Sequence, residues 1–236
     1  MTADDLPAAF ASLPAAWRAV LPGWTPAAMQ AVVQAVRAAS ADRPIAPADP
    51  FRALRLVPPD AARVVVLGQD PYPRPGHADG LAFSAGHGKP HSLRRIFAVL
   101  AADRPGWQPP ERWALDAWAH QGVLLLNPVL SVEVGQAGSH MSCGWQALTS
   151  DIVQSLCRQA DPPAFLLWGR PANAFFDAAA APVDPAVPAA RIWRSRHPSH
   201  DFRRQFMADG SHFAATADRV DWWSLGTRDS AAAGAP

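Results

Sequence analysis

Three short, uninterrupted apolar runs limit what this chain can fold into. Arg63-Val-Val-Val-Leu67, Val123-Leu-Leu-Leu126 and Ala164-Phe-Leu-Leu-Trp168 lack the polar alternation of a half-exposed strand. They read as strands buried on both faces, which is the habit of parallel sheets covered by helices. Arg191–Arg194 is a shorter, fourth strand candidate. Helical stretches fall between and around them. Thr25-Pro26 caps and opens a helix through about Ala39, and Ser92 caps one through about Ala101. Arg112–His120 and Trp145–Arg158 are helical, and Ser211 caps a last helix through about Trp223. This alternation predicts an α/β fold: a three-layer sandwich with a central, mostly parallel four-stranded sheet. The runs are too short for a large barrel.

The 236 residues suit one domain, and 49% hydrophobic with 17% charged residues excludes a disordered or coiled-coil chain. Residues 1–50 are expected to be a helical, Ala/Pro-rich segment packing on or leading into the main domain, 51–225. The small, polar end 226–236 is expected to be a flexible tail. No run approaches the roughly 18 apolar residues of a membrane helix, so no membrane contact is expected. The acidic opening Met1-Thr-Ala-Asp-Asp5 lacks the layout of a secretory signal. Two cysteines, Cys143 and Cys157, suit neither a disulfide scaffold nor a four-ligand zinc site. His87 and His91 read as loop residues, so no metal and no cofactor is expected, and a cytoplasmic setting is. The net charge of +1 announces no nucleic-acid partner, but Arg191, Arg194, Arg196, Arg203 and Arg204 cluster against one acid, Asp201. Their forked donors suit phosphate.

In open α/β sheets ligands sit beyond the carboxyl ends of the strands. The residues directly after the four strand candidates are Gly68-Gln-Asp70, Asn127, Gly169-Arg170 and His197-Pro-Ser199. Each has an ordinary reading alone: Asp70 as a helix cap, Asn127 as a turn, His197 as a surface residue. Together, a carboxylate, an amide, an imidazole and two glycines on one sheet edge point to a site. The densest stretch, Gly68–Ser84, is a stiff loop rich in Pro and Gly. It lacks the Gly-Lys-Ser/Thr ending of a phosphate loop and the Gly-x-Gly-x-x-Gly of a dinucleotide loop. It offers one early carboxylate, Asp70, and two aromatic faces, Tyr72 and Phe83.

That stretch resembles the water-activating loop of family 1 uracil-DNA glycosylases. Leu124–Val132, Gly135-Gln-Ala-Gly-Ser-His140 with Gly144-Trp145, Phe165–Gly169 and His197-Pro-Ser199 resemble further motifs of the family. The similarity runs from about Phe51 to about Trp222, in the family's order. The resemblance implies an α/β glycosylase domain that flips a deoxyuridine out of single- or double-stranded DNA and hydrolyses its N-glycosidic bond, beginning base excision repair. Asp70 and His197 would be catalytic: Asp70 steadies the cationic sugar and orients water, and His197 donates to uracil O2 as negative charge develops. Gln69, Tyr72, Phe83 and Asn127 would hold the base. Phe83 stacks on it, Asn127 matches uracil N3–H and O4, and Tyr72 stands where thymine carries its methyl. Ser84, Ser92, Gly169, Arg170 and Ser199 would grip the DNA backbone. The family resemblance also implies a monomer.

This chain departs from the family's pattern in four places. Pro73 replaces a His, the loop Gly88-Lys-Pro-His-Ser92 is shortened, and Arg170 replaces a Ser. Asp201 stands where the family has the Leu that fills the vacated base stack; Phe202 or Arg203 is the expected substitute. Two alternatives therefore stand beside uracil excision: a glycosylase of relaxed specificity for other damaged bases, and a uracil-DNA-binding protein with impaired turnover. A third is an α/β domain binding a small metabolite at the same edge.

Overall fold

The three apolar runs lie side by side in a four-stranded sheet in which every neighbouring pair is parallel. In chain order the elements are α1 (Leu6–Ala11), α2 (Ala15–Arg18), α3 (Pro26–Ser40), β1 (Ile45–Ala46), α4 (Arg52–Leu56) and β2 (Val64–Leu67). Then come α5 (His91–Asp103), α6 (Asp116–Ala119), β3 (Val123–Leu126), β4 (Val132–Glu133), α7 (Trp145–Cys157), β5 (Ala164–Trp168), α8 (Arg170–Ala180), β6 (Ile192–Ser195) and α9 (His212–Ala215). The computed structural model describes residues 1–184, 186–200 and 205–225; the wedge candidates Phe202 and Arg203 and the end 226–236 lie outside the described residues. Every residue of β2, β3 and β5 is buried, so both sheet faces are covered by helices. In the order β3-β2-β5-β6 the edge strand β3 is buried, whereas the other edge strand, β6, is half exposed. A separate two-stranded antiparallel ribbon joins β1 to β4.

The register fixes what meets at the sheet's carboxyl edge. Leu67 pairs with Leu126 on one side and Leu167 on the other, and Trp168 pairs with Ser195. The strands therefore end level. Gly68 donates its N–H to Leu126 O at 3.0 Å, and Gly169 donates to Ser195 O at 2.9 Å, carrying the pairing one step past each strand.

The N-terminal segment shares the core. Leu6, Phe10, Leu13, Trp17 and Leu21 are buried, and the Phe10 ring stacks 5.7 Å from Trp145 of α7. Trp17 donates its indole N–H to Val57 O at 2.9 Å, and Trp24 donates to Leu148 O at 2.7 Å.

Helix α3 begins as its cap predicts, with Thr25 Oγ1 accepting from Ala28 N–H at 3.2 Å. Two helices are shorter than their sequences suggest. The stretch predicted from Arg112 is helical only over Asp116–Ala119, because Trp113 O accepts from Ala85 N–H at 3.2 Å and Leu115 N–H donates to Ser84 Oγ at 2.9 Å. Those backbone groups pair across to another loop instead of along a helix. Ser211 does cap α9, accepting from Ala214 N–H at 3.3 Å, but the helix ends at Ala215. There Thr216 Oγ1 donates back to His212 O at 2.7 Å and accepts from Trp222 Nε1 at 3.0 Å. Ser92 does not cap α5: the cap position is Pro90, and Ser92 lies within the first turn.

Because Trp17 is fully buried and hydrogen-bonded across to the main domain, Trp17→Ala should lower unfolding free energy by about 3–5 kcal/mol. Urea denaturation measures this; a loss well under 1 kcal/mol would show that the first helices are not part of the cooperative core.

Candidate active site

Beyond the carboxyl ends of β2, β3 and β6 lies a cavity of about 340 Å³, at the small end of the range for ligand pockets. Asp70, Asn127 and His197, from three separate strand ends, all line it, together with Gln69, Tyr72 and Phe83. Two glycines make this convergence possible. A Cβ on Gly68 would fall 2.3 Å from Asn127 Oδ1 and 3.3 Å from the Phe83 ring. Gly169 has φ +108°, and a Cβ there would lie 2.9 Å from His197 Cβ. Each glycine thus vacates the volume that a functional side chain on the next strand occupies.

Phe83 carries the geometry of a residue held against its preference. It sits at the third position of a turn closed by Ser84 N–H donating to Leu81 O at 3.3 Å, with φ +64°. Glycine is the usual occupant there, and a bulky residue in that region is disfavoured by roughly 1–3 kcal/mol. Phe83 is 7% exposed, and its ring centroid lies 5.1 Å from that of Trp168 and 5.6 Å from that of His197. The Tyr72 hydroxyl donates to Phe83 O at 2.9 Å and lies 2.5 Å from Ser92 Oγ. Burial pushes that hydroxyl well above the usual tyrosine range, so it stays neutral.

Asp70 Oδ2 accepts the backbone N–H of Gly138 at 3.0 Å. Burial raises the Asp70 carboxyl above its ordinary range, and the Gly138 bond opposes the rise. Gly138 belongs to the 135–140 loop, anchored at its end by His140. That imidazole is fully buried, with Ser40 Oγ 2.6 Å from Nε2 and Ser131 Oγ 2.9 Å from Nδ1, and burial holds it below its usual range. Trp145 Nε1 in turn donates to Ser131 Oγ at 2.8 Å.

The state of His197 is set by its neighbour. Ser199 directs its backbone N–H at Nδ1 from 3.1 Å, and its hydroxyl lies 2.7 Å from the same nitrogen. An amide N–H only donates, so Nδ1 accepts, and the ring proton of the neutral imidazole resides on Nε2.

The cavity gathers Gln69, Asp70, Tyr72, Phe83, Ser92, Asn127, His197 and Ser199. It does not gather the rest. Ser84 is 0% exposed, its hydroxyl donating to Asp79 at 2.5 Å, so the surface position expected for a phosphate contact is corrected: the hydroxyl is turned into the loop. Ser92, 2% exposed, meets Tyr72 in place of capping its helix. Gly169 backs His197, and Arg170 is exposed at the first position of α8, away from the cavity lining. Pro73 lines the cavity and accepts Gly135 N–H at 2.8 Å. The role of Gly68 is signalled in the sequence by a glycine directly after a buried strand, whereas that of Gly138 is readable only from its tertiary contact with Asp70.

A family profile described as the uracil DNA glycosylase superfamily matches residues 54–220. The uracil-DNA glycosylase of Bordetella parapertussis is 47% identical over 173 residues, covering 72% of this chain and 68% of that protein. That of Idiomarina loihiensis is 40% identical over 174 residues, covering 72% and 77%. Mimivirus uracil-DNA glycosylase superposes with a TM-score of 0.68 over 84% of this chain and 75% of that chain at 23% identity, a likeness of fold.

The raised Asp70 carboxyl has a consequence for stability. The folded state binds this proton more tightly than the unfolded chain, so the ionised form is penalised above the folded value and the penalty vanishes as pH falls. Asp70→Asn should therefore melt at or above the wild-type temperature at neutral pH, with the gap closing towards acid. A variant clearly less stable at neutral pH would show that the site favours the charge.

Proposed function

The chain belongs to the uracil-DNA glycosylase superfamily and excises uracil from DNA, and we propose that Asp70 and His197 carry the chemistry on a base seated between Phe83 and Asn127. One observation supports this above the others: a carboxylate, an amide and an imidazole from three strand ends face a single cavity beside an aromatic ring. A base stacked in DNA is out of reach of such a recess, so the nucleotide must swing out to enter it.

In this reading the Asn127 amide pairs with uracil N3–H and O4, and cytosine leaves buried polar groups unpaired there. Tyr72, hydrogen-bonded to Phe83 O and close to Ser92, is a rigid wall against a C5 methyl group. As the C1′–N1 bond stretches, its electron pair moves onto the base and the sugar becomes cationic. His197 Nε2–H donates to O2 and stabilises the leaving anion. The Asp70 carboxylate stabilises the sugar and orients a water whose oxygen bonds to C1′; the water's proton passes to Asp70. Because Asp70 must be ionised and its carboxyl is raised, turnover should fall on acidification at a higher pH than for an ordinary aspartate. All of these groups lie in one chain, which supports a monomeric active unit. Two buried free cysteines suit a reducing compartment such as the cytoplasm.

The test is uracil release from single- and double-stranded oligonucleotides carrying one deoxyuridine. Wild type should release uracil; Asp70→Asn and His197→Ala should each be slower by about 10²–10³-fold or more. Gly68→Ala should approach the loss caused by Asn127→Ala, since the added methyl and the amide need the same space. Binding of the substrate by wild type without release would support a binding protein instead.

A further inference from the structure

The loop that carries Phe83 is held by a charged cluster outside the cavity lining. Asp79 Oδ1 accepts Leu81 N–H at 3.1 Å, and its Oδ2 accepts the Ser84 hydroxyl at 2.5 Å and lies 3.3 Å from Arg52 Nη1. Arg52, on α4, also donates to Asp79 O at 3.3 Å and pairs with Asp116 at the start of α6. Ser84 Oγ, while donating to Asp79, accepts Leu115 N–H at 2.9 Å. The carboxylate thus grips both ends of the turn Leu81–Ser84. Within that turn Ala82 N–H donates to Leu125 O at 3.0 Å, and Phe83 is its one residue with left-handed backbone.

A turn forced to place an aromatic residue where glycine is usual relaxes unless its ends are fixed. Tyr72 holds the Phe83 carbonyl from one side. We propose that Asp79, acting through Ser84 and braced by Arg52, is a positioning residue that holds the Phe83 ring at the angle needed to stack a uracil base. The inference rests on the reading of Phe83 as the stacking face. Asp79 does not touch the base; it sets the orientation of the ring that does.

The experiment measures kcat/KM on a uracil-containing oligonucleotide, and inhibition by free uracil, for wild type, Asp79→Ala, Ser84→Ala and the double variant. It is run at 25 °C on protein shown by thermal melting to be folded. Aromatic stacking on a base is roughly a 10- to 100-fold effect, so its partial loss should weaken kcat/KM and uracil inhibition about tenfold in each single variant. The double variant should lose less than the product of the two single losses, because the Asp79–Ser84 hydrogen bond is common to both. A merely structural role would lower the melting temperature and leave uracil inhibition unmoved. If Asp79→Ala does not fold, Ser84→Ala alone decides. Single variants within twofold of wild type, or losses that multiply in the double, overturn the inference and leave the glycosylase reading standing. Wild type that releases no uracil overturns both.

Discussion

Neighbouring parallel strands are so close that a methyl group at position 68 would stand 2.3 Å from the Asn127 amide oxygen, and one at 169 would stand 2.9 Å from His197 Cβ. This exclusion decides what the carboxyl edge of the sheet can hold. The strands end level because their registers match, so side chains leaving one strand collide with the Cβ of the next. Absence of a Cβ at two of the strand ends converts a crowded edge into a recess with an amide and an imidazole in its wall.

Around that recess several local preferences are overridden together. A carboxyl group is partly buried with a single cross-loop N–H for support, and an aromatic residue adopts glycine's backbone. A tyrosine hydroxyl is buried next to a serine. Elsewhere the β-branched and leucine runs are buried strands, and the large aromatic residues fill the core. Such local conflicts concentrate where a protein acts, and the surrounding network must hold them in place. Here that network is specific: Gly138 under Asp70, Tyr72 and Asp79 on either side of Phe83, Ser199 behind His197.

The legible part of the sequence was its strand ends. Apolar runs bounded by polar residues mark buried strands of a parallel sheet, and the positions of Asp70 and Asn127 follow directly from them; His197 lies two residues past the shorter edge strand. Family resemblance supplied roles that spacing alone does not. The remainder was set by tertiary partners. Ser84 and Ser92 are short hydroxyls that could face water or protein, and both turned inward because Asp79, Leu115 and Tyr72 stood ready as partners. Helix α6 is shorter than the sequence suggests because the backbone of Trp113 and Leu115 pairs with residues 84 and 85, which nothing local in Arg112–Leu115 reveals. The His197 tautomer depended on one amide of Ser199, which no pattern of residue types encodes.

The most direct test is a crystal structure of the protein with free uracil. The account predicts the ring lying against Phe83, with the Asn127 amide paired to N3–H and O4 and His197 Nε2 within hydrogen-bond distance of O2. Uracil bound outside this cavity, or inside it with O2 turned away from His197, would contradict the account.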